Sequence, residues 1–293
     1  MISAVVLTWN SAQYIAKCLR SLAADAREAG MEMEIFVIDG GSTDGTLEIL
    51  SQLVTEISSL RIIPLGKNLG TTASRNIAIQ ESQGQYILIL DSDTEILPGA
   101  LEALSKALES APRIGIAAPR LFYPDGMVQP SCKRFPTASL KVCKFIPLPW
   151  LQQLGQKAEL YPHRVYDNNF QEILRVDHCI SACWLVRREA IKEVGLFDEK
   201  IFYAPEDVDY CLRMWLAGWE VLYVPSAKVV HHTQRWSHKS FKIAWTHAMG
   251  LLYYFRKYKY WLSRRSLYYR ISKVAERHGI QPPFGIELIN KGV

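Results

Sequence analysis

Cys-x-x-Cys does not occur in this 293-residue chain, although six cysteines stand at 18, 132, 143, 179, 183 and 211. Zinc ribbons and redox dithiols are built on that spacing, so neither is expected. The cysteines read as reduced, mostly buried small residues of a cytoplasmic chain. Also missing is any run near the ~20 apolar residues that cross a bilayer as a helix. No leader pattern precedes the first strand, which starts at Ile2, so no targeting segment is expected. Phosphate-binding glycine loops are lacking too. Thr8-Trp9-Asn10-Ser11 is not the glycine-rich, basic loop with which a nucleotidyltransferase would hold a triphosphate. Residues 39–46 lack the glycine spacing of a dinucleotide fingerprint, which counts against a dehydrogenase.

What the chain does contain is a series of buried strands that end in polar residues. At 49% hydrophobic and 22% charged, it suits a globular enzyme with one large domain and an appended subdomain. Strands are expected at 4–8, 34–38, 61–64 and 86–90, with amphipathic helices over 11–29 and 44–57 and a further helix over 71–83. That alternation predicts a doubly wound α/β sheet. Tyr86-Ile87-Leu88-Ile89-Leu90 reads as a fully buried strand, and Asp91-Ser92-Asp93 closes it. Open α/β sheets place ligands at such carboxyl ends. Two acids one residue apart can share a divalent cation and a sugar phosphate, because hard cations prefer oxygen ligands.

Further along, Pro205 fits the first position of a helix. Val208, Cys211, Leu212, Trp215 and Leu216 then form an apolar stripe, and Gly218 ends the helix. Glu206 and Asp207 project from its first turn, while Asp209 is placed to pair with Arg213 one turn on. Asp125-Gly126 predicts a hairpin turn, with Ser131, Lys133 and Arg134 on the outgoing strand. Residues 136–176, which include Pro147 and Pro149, show no sustained period and read as an irregular insertion near the site. Trp184 and Trp219 read as core aromatics.

Charge is unevenly spread. Residues 238–293 carry eleven Lys or Arg against Glu276 and Glu287, a net +9, and the rest of the chain nets −4. Tyr253, Tyr254, Phe255, Tyr258, Tyr260, Trp261, Tyr268 and Tyr269 interleave with those cations. Basic aromatic helices suit an anionic membrane surface, so peripheral contact through 238–280 is expected. The competing reading is a solvated basic face over packed aromatics. No nucleic-acid-binding motif accompanies the charge, and the sequence sets no oligomeric state.

The segments VVLTWN, VIDGGSTDGT, KNLGTTASRNIAI and ILILDSDTEILPGAL resemble the nucleotide-sugar domain of inverting family 2 glycosyltransferases of the GT-A fold. The segments APRLFYPDGMVQPSCKRFP, SACWLVRREAIKEVGLFDEKIF and PEDVDYCLRMWLAGWEVLYVPSAKVVHH extend the likeness to about residue 237. They look most like its rhamnosyltransferase-like branch. The resemblance implies a GT-A domain over 1–237, with a Rossmann-like nucleotide-sugar half (1–120), an acceptor and catalytic half (121–237) and a mixed central sheet. A helical C-terminal tail (238–293) follows.

The resemblance also implies roles. Thr8, Trp9, Asn10 and Asp39 would hold the pyrimidine, with Asp39 accepting the ring N3–H of uracil or thymine. Asn68, Gly70 and Arg75 match the family's Asn-x-Gly…Arg-Asn element near the diphosphate. Asp91 and Ser92 would orient the donor, and Asp93 with His231 would hold Mn²⁺ or Mg²⁺, His231 matching better than His232. Asp207 corresponds to the general base and Glu206 to the neighbouring acceptor-site acid. Ser181 stands where the family commonly has glycine. The implied reaction moves a sugar, such as rhamnose, from a dTDP- or UDP-linked donor to a polysaccharide or lipid-linked hydroxyl at the inner face of the plasma membrane. A UDP-hexose transferase of the same fold and a non-catalytic nucleotide-sugar or glycan-binding protein are the alternatives.

Overall fold

The computed structural model describes residues 1–146, 148–233 and 241–290. The boundary expected near 237 lies outside these residues, as do Pro147, Lys239 and Lys291. In the first half, β1 (Ile2–Thr8), α1 (Ile15–Glu28), β2 (Met33–Asp39), α2 (Thr46–Glu56), β3 (Leu60–Pro64), α3 (Thr71–Glu81) and β4 (Tyr86–Asp91) alternate as expected. β1 pairs in parallel with β2 and β4, and β2 with β3. The register sets Thr8 beside Asp39 and Leu7 beside Asp91. The polar residues that end three strands therefore share one edge.

β5 (Thr94–Ile96), α4 (Ala100–Glu109), β6 (Ile114–Phe122), β7 (Cys132–Lys133), α5 (Ala138–Phe145) and α6 (Pro149–Lys157) follow. The second half continues with β8 (Leu174–Arg175), β9 (His178–Cys179), β10 (Cys183–Arg187), α7 (Arg188–Val194), α8 (Glu206–Leu216) and β11 (Glu220–His231). Helices α9 (Phe241–Tyr258), α10 (Arg265–His278) and α11 (Phe284–Asn290) close the chain. Strand order in the main sheet is β3-β2-β1-β4-β10-β6-β11-β5, with β8 on β11 and a separate β7–β9 pair. β10 runs antiparallel to both β4 and β6, so the sheet is mixed. The tight turn at Asp125-Gly126 is present, and Phe122 bridges Val128 across it.

Side-chain alternation along the strands feeds two cores. Ala4 and Val6 point to the face shared with Leu19, Leu50 and Leu104, while Val5 joins Ile79, Trp215 and Tyr254 on the other. Trp184 and Trp219 are buried in that second core. Two readings change here. The stretch 136–176 is not wholly irregular: it carries α5 and α6, with Thr137 accepting a capping bond from the Leu140 amide and Pro149 opening the second helix. The tail aromatics are not a lipid-facing set either. Leu251, Tyr254, Phe255 and Tyr258 repeat at helical spacing and pack into the second core with Tyr260 and Tyr268. Only Trp261 and Tyr269 of the eight aromatics named above are largely exposed.

Candidate active site

Asp91, at the end of β4, and Asp93, in the turn to β5, lie beside His231, the last residue of β11. β5 and β11 pair with Thr94 opposite His231, which brings together residues far apart in sequence. One ligand atom from each of Asp91, Asp93 and His231 lies within 4.8 Å of the others. His231 Nδ1 sits 3.0 Å from Gln129 Oε1, which leaves Nε2 facing Asp93 Oδ1 at 3.5 Å. Such an orienting bond to the far ring nitrogen is the usual arrangement of a ligating histidine. His232 instead contacts Glu95 and the Tyr14 ring, which separates the two histidines the sequence left adjacent. Two carboxylates and an imidazole fit a divalent cation, with the nitrogen favouring Mn²⁺ over Mg²⁺.

The pyrimidine-side residues form a tied loop. Asp39 is fully buried, and its Oδ2 accepts from the amides of Gly41 at 3.0 Å and Ser42 at 2.9 Å. Its Oδ1 accepts from the Ser42 hydroxyl. The Asn10 amide donates to Ser42 Oγ at 2.8 Å, and its Oδ1 accepts from the Thr43 amide at 2.9 Å. Ser92 donates to Ser11 at 2.8 Å, fastening the β4 end to the β1 end. Trp9 flanks Gly40, and the buried Thr8 hydroxyl has no hydrogen-bond partner among the described residues. Asp44 accepts from the Thr46 and Ala12 amides, so it braces the start of α2.

Arg75 is buried and bridges the two halves. It donates to Asp91 Oδ1 at 2.7 Å, Glu206 Oε1 at 3.3 Å and Ser181 Oγ at 3.0 Å. The Ser181 hydroxyl in turn donates to Glu206 at 3.1 Å. Sequence reasoning gave Ser181 and Gln129 no role; the departure from glycine at 181 was the available signal for the former. Asn68 Oδ1 accepts from the Gly70 amide at 2.8 Å, and Gly70 has φ +87°. A Cβ there would sit 2.3 Å from the Phe202 carbonyl oxygen. The close approach that Gly70 permits is thus to the chain itself. Thr71 N and Thr72 Oγ1 donate to Phe202 and Ile201 at 2.8 and 2.7 Å, docking α3 against the loop before α8.

Glu206 and Asp207 begin α8, and Asp209 pairs with Arg213 at 3.0 Å as the spacing implied. Burial, then the neighbouring Asp207, pushes the Glu206 carboxyl up to about 8, against the pull of Arg75. Asp207 is raised by burial and held back by the Val208 amide and by Lys133 and Lys141. A carboxylate moved toward neutrality is a stronger proton acceptor.

This architecture recurs among solved structures. GalNAc-T7, solved with UDP, GalNAc and Mn²⁺, superposes with a TM-score of 0.59 at 17% identity over 79% of this chain and 43% of its own. Staphylococcus aureus TarS (residues 1–349) gives 0.56 at 18% identity, covering 94% and 71%. Residues 3–195 match the family described as glycosyl transferase family 2. The chain belongs to that family and is a glycosyltransferase, inversion being typical of its members. Within it, the chain is 32% identical over 248 residues to the N-acetylglucosaminyl-diphospho-decaprenol L-rhamnosyltransferase of Mycobacterium tuberculosis (strain CDC 1551 / Oshkosh), covering 78% of this chain and 75% of the relative. It is 24% identical to the cholesterol galactosyltransferase of Borreliella burgdorferi, over 76% and 57% of the two chains.

Proposed function

We propose that the protein transfers a sugar, rhamnose by analogy with the mycobacterial relative, from a dTDP- or UDP-linked donor to a hydroxyl of a diphosphate-linked lipid glycan. The observation that carries this reading is the convergence of Asp91, Asp93 and His231 beside a buried Arg75 that also touches Glu206. Asp39 and the loop it organises hold the base; Asn10, Trp9 and Thr8 flank it. Asp91 orients the donor with Ser92 behind it, and Arg75 keeps that carboxylate in place. Asp93 and His231 would hold a divalent cation, which when bound offsets the charge of the departing nucleoside diphosphate. Asp207 takes the proton from the acceptor hydroxyl as that oxygen attacks the anomeric carbon from the face opposite the nucleotide. Glu206 lies on the acceptor side. A single displacement needs one base and leaves no sugar on the enzyme.

A donor screen across dTDP- and UDP-sugars, read by nucleotide release with a prenyl diphosphate-linked acceptor, tests the reading. Release should require added Mn²⁺ or Mg²⁺, and Asp207→Asn should lower transfer by ~10²–10⁴-fold while donor affinity holds. Turnover that persists in chelator, or a loss below tenfold, would remove the metal or the base from this scheme.

A further inference from the structure

The face of the small β7–β9 ribbon beside Asp207 carries polar groups that have no hydrogen-bond partner among the described residues. Lys133 stands directly opposite His178 in the antiparallel register, and the Ile180 amide bonds the Ser131 carbonyl, so Ser131, Lys133 and His178 share one face. His178 is 6% exposed, and its Nδ1 has no hydrogen-bond partner among the described residues; the same holds for the buried Ser131 hydroxyl. Its ring stacks on Phe135, which holds it in place. Half-buried Lys133 makes no ion pair with any described acid, whereas Lys141 nearby is matched to Glu159 at 3.2 Å.

A buried hydroxyl left unpaired costs free energy, and an anion bound between it and an ammonium that no acid matches would offset that cost. Lys133 and Asp207 lie close enough for each to bear on the other's charge. An anion on the ribbon would therefore sit next to the base. A Lys ammonium and a hydroxyl donor suit phosphate oxygens, while the open Nδ1 of the neutral His178 ring, whose N–H faces the Arg134 backbone, is left to accept a hydroxyl.

We propose that Ser131, Lys133 and His178 form an acceptor subsite that takes the phosphate or diphosphate through which the acceptor sugar is linked, and so presents that sugar's hydroxyl to Asp207. The inference rests on the acceptor class proposed above. It makes Lys133 a specificity determinant: the enzyme distinguishes a phosphate-linked sugar from a neutral glycoside through this side chain.

Calorimetric titration of the full chain in metal-free buffer tests it, with farnesyl diphosphate standing for a lipid headgroup and inorganic pyrophosphate for the free anion. UDP affinity with Mn²⁺, measured alongside, reports the donor site and the fold. Lys133→Gln should weaken farnesyl diphosphate binding at least tenfold, and Lys133→Arg should stay within about threefold of the parent. Pyrophosphate binding that follows the same order assigns the subsite to the anion; weakening confined to farnesyl diphosphate assigns it to the lipid-linked form. No binding by the parent, no change in Lys133→Gln, or an equal loss of UDP affinity would overturn the subsite. Failure of the parent to bind UDP would instead count against the donor chemistry.

Discussion

Arg75 touches the donor-side and acceptor-side carboxylates at once, and the balance of charge around it decides how Glu206 behaves. With Asp91 at 2.7 Å and Glu206 at 3.3 Å, the closer acid takes the larger share of the guanidinium. Burial and Asp207 leave Glu206 up at about 8, above the 4.5 of a free glutamate. In the unfolded chain the proton leaves near 4.5, in the folded chain near 8, so between these values the native state binds more protons. Stability from this group is therefore full below about pH 4.5 and is lost as the pH climbs to about 8. Asp91 and Asp207 slope the same way, so the contrast with Glu206→Gln isolates one carboxyl. Denaturant midpoints at pH 5 and pH 8 should show the variant losing less stability over the interval than the parent. An identical decline would mean that Glu206 is ionised throughout, held by Arg75.

At the scale of elements, the loop that ends in Glu206-Asp207 is gripped from two sides. α3 holds it through Thr71 and Thr72, and α9 presses on it through Gly250, where a Cβ would lie 2.1 Å from the Ala204 carbonyl oxygen. The same helix reaches Asp198 through Tyr253 at 2.8 Å and Asp209 through Lys257 and Tyr258 at 2.7 and 2.8 Å. Helix propensity alone would favour alanine over glycine by ~1 kcal/mol, so a loss in Gly250→Ala must come from contact. That variant should lower kcat at least tenfold with donor KM within about twofold; an unchanged kcat would show that the loop yields without moving the base. The first strands and the first two helices were legible because each of those strands is an apolar run and each of those helices a long amphipathic period; α3, whose buried face carries Thr72, Ser74, Arg75 and Asn76, was legible from its place between two strands. α5 and α6 were not, since eight and nine residues give too little period to stand above noise. Asp91 and Asp93 could be read from their strand, but His231 was found by resemblance alone, and Gln129 and Ser181 depend on partners set by the tertiary fold. Gly70 was placed near the diphosphate by resemblance, and only the folded chain shows Phe202 packed against it.

Across the whole molecule, the tail's charge and its aromatics part company. Tyr254 and Phe255 are buried in the core, and exposing an aromatic of ~150–250 Å² costs roughly 4–6 kcal/mol. A basic side chain near an anionic surface contributes ~1 kcal/mol, too little to extract them. Contact with lipid must therefore use what is already outside. Trp245, Met249, Trp261 and Leu262 are exposed along the tail, and Val142, Leu148, Trp150 and Leu154 along α5 and α6. The Ala138 amide at the start of α5 bonds the Trp261 carbonyl at 2.8 Å, joining the two groups. Among the described residues no helix is long and apolar enough to cross a membrane. Among the described tail cations, Arg264 is buried against the Phe135 and Ala158 carbonyls and Lys257 is paired, whereas Arg256, Lys259, Arg265, Arg270 and Arg277 are exposed, the first three flanking Trp261 and Leu262 in sequence. Replacing these three with glutamine should remove roughly 3 kcal/mol, about a hundredfold in partition to anionic vesicles. Raised salt should act the same way through screening. Trp150→Ser with Leu262→Ser should weaken binding to neutral and anionic vesicles alike, because it removes apolar area and no charge. Equal sedimentation of the parent with both vesicle types would defeat the electrostatic part of this account, and retention by the apolar double variant would defeat the rest.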